Sequence, residues 1–154
     1  MANNNAQQLY KLQQALQKTL EQFVTVMEVE AKNHFVNSFR NQGFTDESLK
    51  KWQPRKGEII GGIAKLRSSE KGSRAILIKS GDLRRSIKVF SRTKDSVTLG
   101  SDLPYAKIHN EGGLGRAFGR HKFLMPKRQF IGYSGQLNRK LIEKLKLRIN
   151  KVFR

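Results

Sequence analysis

The chain has 154 residues, 37% of them apolar and 28% charged, with a formal net charge of +19 and no cysteine. One domain with a modest core is expected, and disulfide frames, thiolate catalysis and thiolate zinc sites are excluded. The polar start, MANNNAQQLYKLQQ, has no apolar run of signal-peptide length and no later run approaches a membrane span, so a soluble protein made in the cytoplasm is expected.

In chain order, residues 6–41 predict one long amphipathic helix. Leu9, Leu12, Leu16, Leu20, Phe23, Met27, Ala31, Phe35 and Phe39 recur at steps of three or four, with no Gly or Pro between them. Gly43 suits the C′ position, with Phe44 folding back on the last turn. Such a helix spans roughly 50 Å, more than a compact domain of this size needs. Its Asn/Gln-rich outer end, residues 3–17, is expected to project as an arm. For that half, contact with a neighbouring subunit stands level with core packing; the second half belongs to the core. Thr45 or Asp46 is expected to cap a short helical turn through Lys51, and Trp52 to anchor a core or an interface.

Residues 55–75 are rich in Gly, Ser, Lys and Arg, with only Ile59, Ile60, Ile63 and Leu66 available for burial, and predict a mobile loop or weak hairpin. Gly61-Gly62 is no phosphate loop, because no GK[ST] follows. After the apolar run Ile76-Leu77-Ile78, Ser80 can cap the turn SGDLRRS. Ile87, Val89 and Ser91 alternate with Lys88 and Phe90, and Val97 and Leu99 return after the polar turn Arg92-Thr93-Lys94-Asp95, as in a β-hairpin. Ser101 or Asp102 caps a short helix through Tyr105, Ala106, Ile108 and His109, with Pro104 in its first turn and Gly112-Gly113 at its end. Residues 113–124 read as a cationic, Gly-rich loop, and Met125-Pro126 opens an extended segment to Phe130-Ile131. Ser134 caps a last helix, residues 134–152, with Leu137, Leu141, Ile142, Leu145, Ile149 and Val152 on one face.

The charge is unevenly placed. Residues 1–50 balance five Lys/Arg (Lys11, Lys18, Lys32, Arg40, Lys50) against five Asp/Glu (Glu21, Glu28, Glu30, Asp46, Glu47), so residues 51–154 carry the whole excess. That asymmetry points to a polyanion or an acidic partner, while a basic solvated surface equally serves solubility. The candidates for such contact are Arg116, Arg120 and Lys122 in the loop and Arg139, Lys140, Lys144 and Arg148 on the last helix. Composition leaves solvated charge and phosphate-facing charge level.

The residues for catalysis do not assemble. His34, His109 and His121 fall in different elements, with no two at i, i+3 or i+4, so neither a metal nor a cofactor is expected. His109-Asn110 invites an HNH-nuclease reading, but the further ligands of a ββα frame are missing, and a structural histidine is favoured. Ser80 and Ser86 lack the G-x-S-x-G elbow. Phe118, Phe123 and Phe130, interleaved with cations, could form a stacking platform for single strands, though core and interface packing is preferred.

Three clusters remain, in fixed order between the helical arms. They comprise Ile76-Leu77 with Ser80-Gly81-Asp82-Leu83 and Ser86-Ile87; then Pro104-Tyr105-Ala106 with His109-Asn110-Glu111-Gly112-Gly113; then Met125-Pro126-Lys127-Arg128-Gln129-Phe130-Ile131-Gly132. With Trp52 and Pro54-Arg55 ahead of them, they resemble the phage virion morphogenesis family, the Mu G-like tail-completion and head-tail joining proteins. The resemblance covers about two-thirds of the chain. It implies a structural virion protein of a tailed bacteriophage or prophage, placed at the neck or tail end, and not an enzyme. The implied fold is α+β: a long N-terminal helix and a C-terminal helix packed on a small antiparallel β-sheet, with extended loops, in a single domain over 1–154. The implied partners are copies of itself, with a ring among the forms allowed, the tail-tube or tail-terminator and head-connector proteins, and DNA in the channel, with no membrane.

The motif residues have a physical reading that fits assembly. Gly81, Gly112, Gly113 and Gly132 supply turns, and Pro104 and Pro126 stiffen the segments they open. Tyr105 and His109 share a helix face, and Arg128 and Phe130 share one side of an extended segment. Trp52, Leu83 and Ser86 complete the set. Arg128 suits a bidentate pairing with Glu111 or Asp102 across a subunit joint. The rival reading is a non-specific nucleic-acid-binding protein, supported by the net charge of +19 and the cationic last helix.

Overall fold

The long apolar stripe forms one helix, α1 (Ala2–Asn41), in a computed structural model that describes residues 2–54, 75–117 and 121–153. The stripe is used unevenly. Phe23, Val24, Ala31, Phe35 and Phe39 are buried, whereas Leu9, Tyr10 and Leu20 stay exposed. The second half of α1 therefore makes core and the first half offers apolar surface.

The end of α1 differs from expectation. Gln42, not Gly43, takes the left-handed conformation, with φ 52°. Its amide side chain supports it, donating to the carbonyls of Phe39 (2.6 Å) and Ile76 (3.3 Å) and accepting from the Ile76 N–H. Its own carbonyl accepts from Trp52 N at 2.8 Å. Gly43 is needed for another reason: a Cβ there would stand 2.5 Å from the Lys50 carbonyl oxygen. That close approach exists because residues 43–51 form a hairpin, β1 (Gly43–Thr45) against β2 (Leu49–Lys51), in place of the expected helical turn.

Asp46 does cap a helix, but a distant one. At the start of α4 (Gly135–Val152), its carboxylate accepts from Gly135 N (3.0 Å) and its carbonyl accepts from Gln136 N (3.1 Å). Ser134 is the N-cap, its Oγ accepting from Leu137 N at 3.1 Å. From there α4 runs back along α1. Leu137 and Gln136 lie beside Asn33, His34 and Asn37, and Lys140 and Lys144 both bind Glu30. At 1.5 Å per residue α4 is roughly 27 Å long and α1 roughly 60 Å, so the first part of α1 extends past it. Of the predicted α4 face, Leu137 is buried and Leu141, Leu145, Ile149 and Val152 are half-buried, but Ile142 is exposed.

Between the helices lie α2 (Asp82–Arg85), β3 (Lys88–Arg92), β4 (Val97–Gly100), α3 (Ala106–Glu111), β5 (Gly113–Ala117) and β6 (His121–Met125). The β3–β4 hairpin carries a bulge between Val89 and Ser91. Arg92 ties it to α1, donating to Glu28 (3.2 Å) and Thr25 (2.7 Å). The cationic loop expected over residues 113–124 is instead the β5–β6 hairpin. Glycine is required within it at Gly115, where a Cβ would sit 2.3 Å from the Phe123 ring. The class is α+β as expected, but among the described residues the sheet is three separate two-stranded hairpins. The loop reading of residues 55–75 falls, but for Ala75, outside the described residues, as do Phe118 and Arg120.

Phe39 holds the centre of the core. Its ring meets Trp52 edge-on at 5.5 Å and the tilted ring of Phe130 at 5.3 Å. Leu83, Ile87, Ala106 and Leu137 close around these rings. Each large buried side chain contributes about 2–3 kcal/mol from apolar burial, so this aromatic knot fixes how the motif clusters meet.

Candidate functional site

The three clusters, far apart in sequence, come together around Phe39. In the first, Gly81 turns the chain with φ 83° and α2 buries Leu83. Ser86 Oγ donates to the Leu83 carbonyl (2.8 Å) and lies 2.6 Å from Ser101 Oγ, joining α2 to the segment before α3. Ser101 Oγ in turn accepts from Leu103 N at 3.3 Å, ahead of the exposed Pro104. Ser80 hydrogen-bonds the Asp82 carboxylate, which also pairs with Arg85.

In the second cluster, Tyr105 and His109 pack edge to face at 5.8 Å on α3, as their spacing predicts. Gly112 ends the helix with φ 75°, its N–H donating to the Ile108 carbonyl at 2.9 Å. A Cβ at Gly112 would stand 2.8 Å from Lys127 N, whereas at Gly113 it would meet nothing. The third cluster is pressed against α3. Arg128 N donates to the His109 carbonyl (2.8 Å), and Phe130 N and Ile131 N both donate to Asn110 Oδ1 (2.9 and 3.0 Å). Trp52 Nε1 donates to the Gln129 carbonyl at 2.7 Å. Pro126 is half-buried at the head of this segment, and Gly132 at its end has φ 155°.

Gln42 was not singled out by the sequence reading, and Asn110 was named only as a member of the second cluster and beside His109, without this role. Each bonds backbone groups of a remote segment, and a lone Asn or Gln inside or after a helix carries no sequence signal of that use. Arg128 is also not where it was expected. It is 7% exposed, and its guanidinium donates inward to the carbonyls of Gln53 (3.1 Å) and Pro54 (3.4 Å). Asp102, one proposed partner for it, pairs with Lys88 at 2.6 Å, and Glu111, the other, is exposed.

Where the first two clusters face Arg128 they enclose a largely apolar cavity of about 510 Å³, with Gly81, Leu83, Tyr105, His109 and Arg128 on its wall. His109, on this wall, has its Nδ1 buried without a hydrogen-bond partner among the described residues. Burial, with the nearby positive charge of Arg128, holds the His109 imidazole below its ordinary pKa.

The basic candidates divide into two groups. Lys140 (2.7 Å) and Lys144 pair with Glu30 and close the α1–α4 seam, while Arg139 pairs with Glu47 at 2.5 Å and ties α4 to the β1–β2 hairpin. The two lysines hold the Glu30 carboxyl below its usual range. Arg148 is half-buried further along α4. Arg116 and Lys122 are exposed and directly opposite one another across the β5–β6 ladder. On the same side of that hairpin, Leu114 and Leu124 are also paired and exposed.

Among the described residues no three His, Asp or Glu side chains come together as a metal site would require, and no helix is long and apolar enough to cross a membrane. Among curated proteins and among solved structures nothing matches the chain significantly. The model of the phage virion morphogenesis family does match, over residues 3–149, a span that takes in all three clusters and most of both terminal helices. The chain therefore belongs to the phage virion morphogenesis family, and its role lies in the making of a phage particle.

Proposed function

We propose that this protein completes the tail of a tailed phage or prophage and joins it to the head, acting by protein–protein assembly and not by catalysis. The observation that carries the reading is how the motif residues are used. Gly81, Gly112, Trp52, Arg128 and Phe130 set backbone turns and pack or hydrogen-bond one segment onto another, and no nucleophile with its base and orienting group lies among them. Such a core is a rigid platform for surfaces around it. The surfaces suited to neighbours are the outer part of α1, with Leu9, Tyr10 and Leu20 exposed, and the β5–β6 face with Leu114 and Leu124 beside Arg116 and Lys122. In this reading the neighbours are further copies of the chain, the tail tube or terminator, and the head connector, in a virion neck built in the host cytoplasm.

Light scattering at moderate salt, with negative-stain images of the same fractions, tests it. Closed rings, or a monomer that binds the ends of purified tails, support the assembly reading. A monomer that ignores tails opposes it. One observation favours the nucleic-acid reading: Arg116 and Lys122 stand directly opposite on a ladder, where like charges repel. A steep fall of duplex affinity with salt would support that reading, since each phosphate contact releases counterions.

A further inference from the structure

The cavity between the first two clusters carries two marks of a recognition site. Leu77, on its wall, holds φ 60° in the turn closed by Ile78 N donating to the Ala75 carbonyl at 3.2 Å. That is a position glycine usually fills, and a leucine there is strained. The second mark is the orphaned His109 Nδ1, since buried polar groups are normally satisfied. Leu77 and His109 line a wall otherwise made by Ile76, Leu83 and Met125, with Tyr105 at one side. The charges around the cavity are lopsided. Lys79 and Arg128 are positive, and the carboxylate of Asp82 is already engaged by Ser80 and Arg85.

We propose that this cavity is a recognition pocket for an acidic segment of a partner protein, in which an apolar side chain fills the cavity and a neighbouring carboxylate meets Lys79 and His109 Nδ1–H. The apolar wall and a volume of about 510 Å³ suit one large side chain with part of its backbone. Lys79, exposed at the cavity, and the field of the inward-turned Arg128 select the charge beside it, as complementary potentials select partners in general. Binding would give Nδ1 the acceptor it lacks once the ring turns toward the mouth. The proposal rests on the reading of the chain as an assembly protein, and it names what kind of neighbour one face of the chain takes.

The test uses the full chain with three blocked peptides, acetyl-Gly-Leu-Asp-Gly-amide and its Asn and Lys counterparts, followed by NMR of the histidine rings. The Asp peptide is expected to bind at least about tenfold more tightly than the Asn peptide, to shift the His109 ring signals and to raise its titration midpoint, while His34 stays unchanged as the internal control. Lys79→Glu changes an exposed residue and should reverse the preference toward the Lys peptide. Equal binding of the Asp and Asn peptides, no response at His109, or an unchanged preference in Lys79→Glu would each overturn the pocket. Loss of the peptide effect alongside intact rings or tail binding removes the pocket and spares the assembly reading. Peptide binding without either does the opposite.

Discussion

Replacing Asn110 tests the way the motif clusters are joined. Among the described residues its Oδ1 is the one acceptor for two consecutive backbone N–H groups, Phe130 (2.9 Å) and Ile131 (3.0 Å). Phe130 is 1% exposed and Ile131 is half-buried. Asn110→Ala strands the first N–H in the core and leaves the second partly open to water. An unsatisfied buried group costs about 1–3 kcal/mol, so the two together should cost about 2–4 kcal/mol. At this chain size that is about 5–15 °C in Tm. Asn110→Asp keeps an acceptor in the same place, and a carboxylate that receives two N–H groups stays ionised at neutral pH. It should therefore lie within about 1 kcal/mol of the parent at pH 7 and lose its advantage as acid protonates it. Urea unfolding can be followed by the single tryptophan, since Trp52 is bonded to the adjacent Gln129 carbonyl. The slope of unfolding free energy against urea should not change, as the exposed area is the same. A loss below about 1 kcal/mol in Asn110→Ala, or an equal loss in Asn110→Asp at pH 7, would refute the reasoning.

Other expectations follow from the same contacts. Gly112→Ala should be far more damaging than Gly113→Ala in thermal unfolding, because both have positive φ but only the first drives a Cβ into the Lys127 backbone; strain alone costs about 1–2 kcal/mol. Glu30→Gln should cost about 1 kcal/mol at low salt and less at high salt, read from urea midpoints, since it releases Lys140 and Lys144 from the seam. Stability should also fall in two stages on acidification. Burial lowers the pKa of both His34 and His109, so the folded chain binds fewer protons than the unfolded one, and stability that is full above about pH 6.5 declines below it. The Gly135 N–H bound to Asp46 and the lysines around Glu30 lower those carboxyls, so their contribution is present above about pH 4 and lost as pH falls through the folded values. Urea midpoints from pH 8 to 3, with NMR titration of the two imidazoles, check both stages.

Local signals in the sequence found what local forces build. The α1 stripe, the Ser134 cap, the β3–β4 alternation and the Gly112 stop of α3 each need only a few neighbouring residues, and all were legible. Asp46 shows where that reasoning fails. Its capping chemistry was recognised, yet the helix it caps begins at Gly135, and nothing local says which N-terminus a carboxylate will serve. The β5–β6 hairpin was hidden because it has no apolar alternation; Gly115 leaves room for the Phe123 ring where an alternating strand would carry a side chain. Arg128 was read as a surface fork because arginine is rarely buried, and only the fold brings the Gln53 and Pro54 carbonyls to it. The motif order was enough to place the chain in its family. The cavity those motifs enclose needed three remote segments at once.

Gln42 has a consequence for how this chain can vary. Its carbonyl holds Trp52 and its side chain holds Ile76, so one residue rivets the end of α1 to two segments far apart in sequence. No other amide reaches all three at once without its length and its two kinds of polar atom. A substitution at Gln42 is therefore felt at three places together, and the position has less freedom to vary than an ordinary residue just past a helix end.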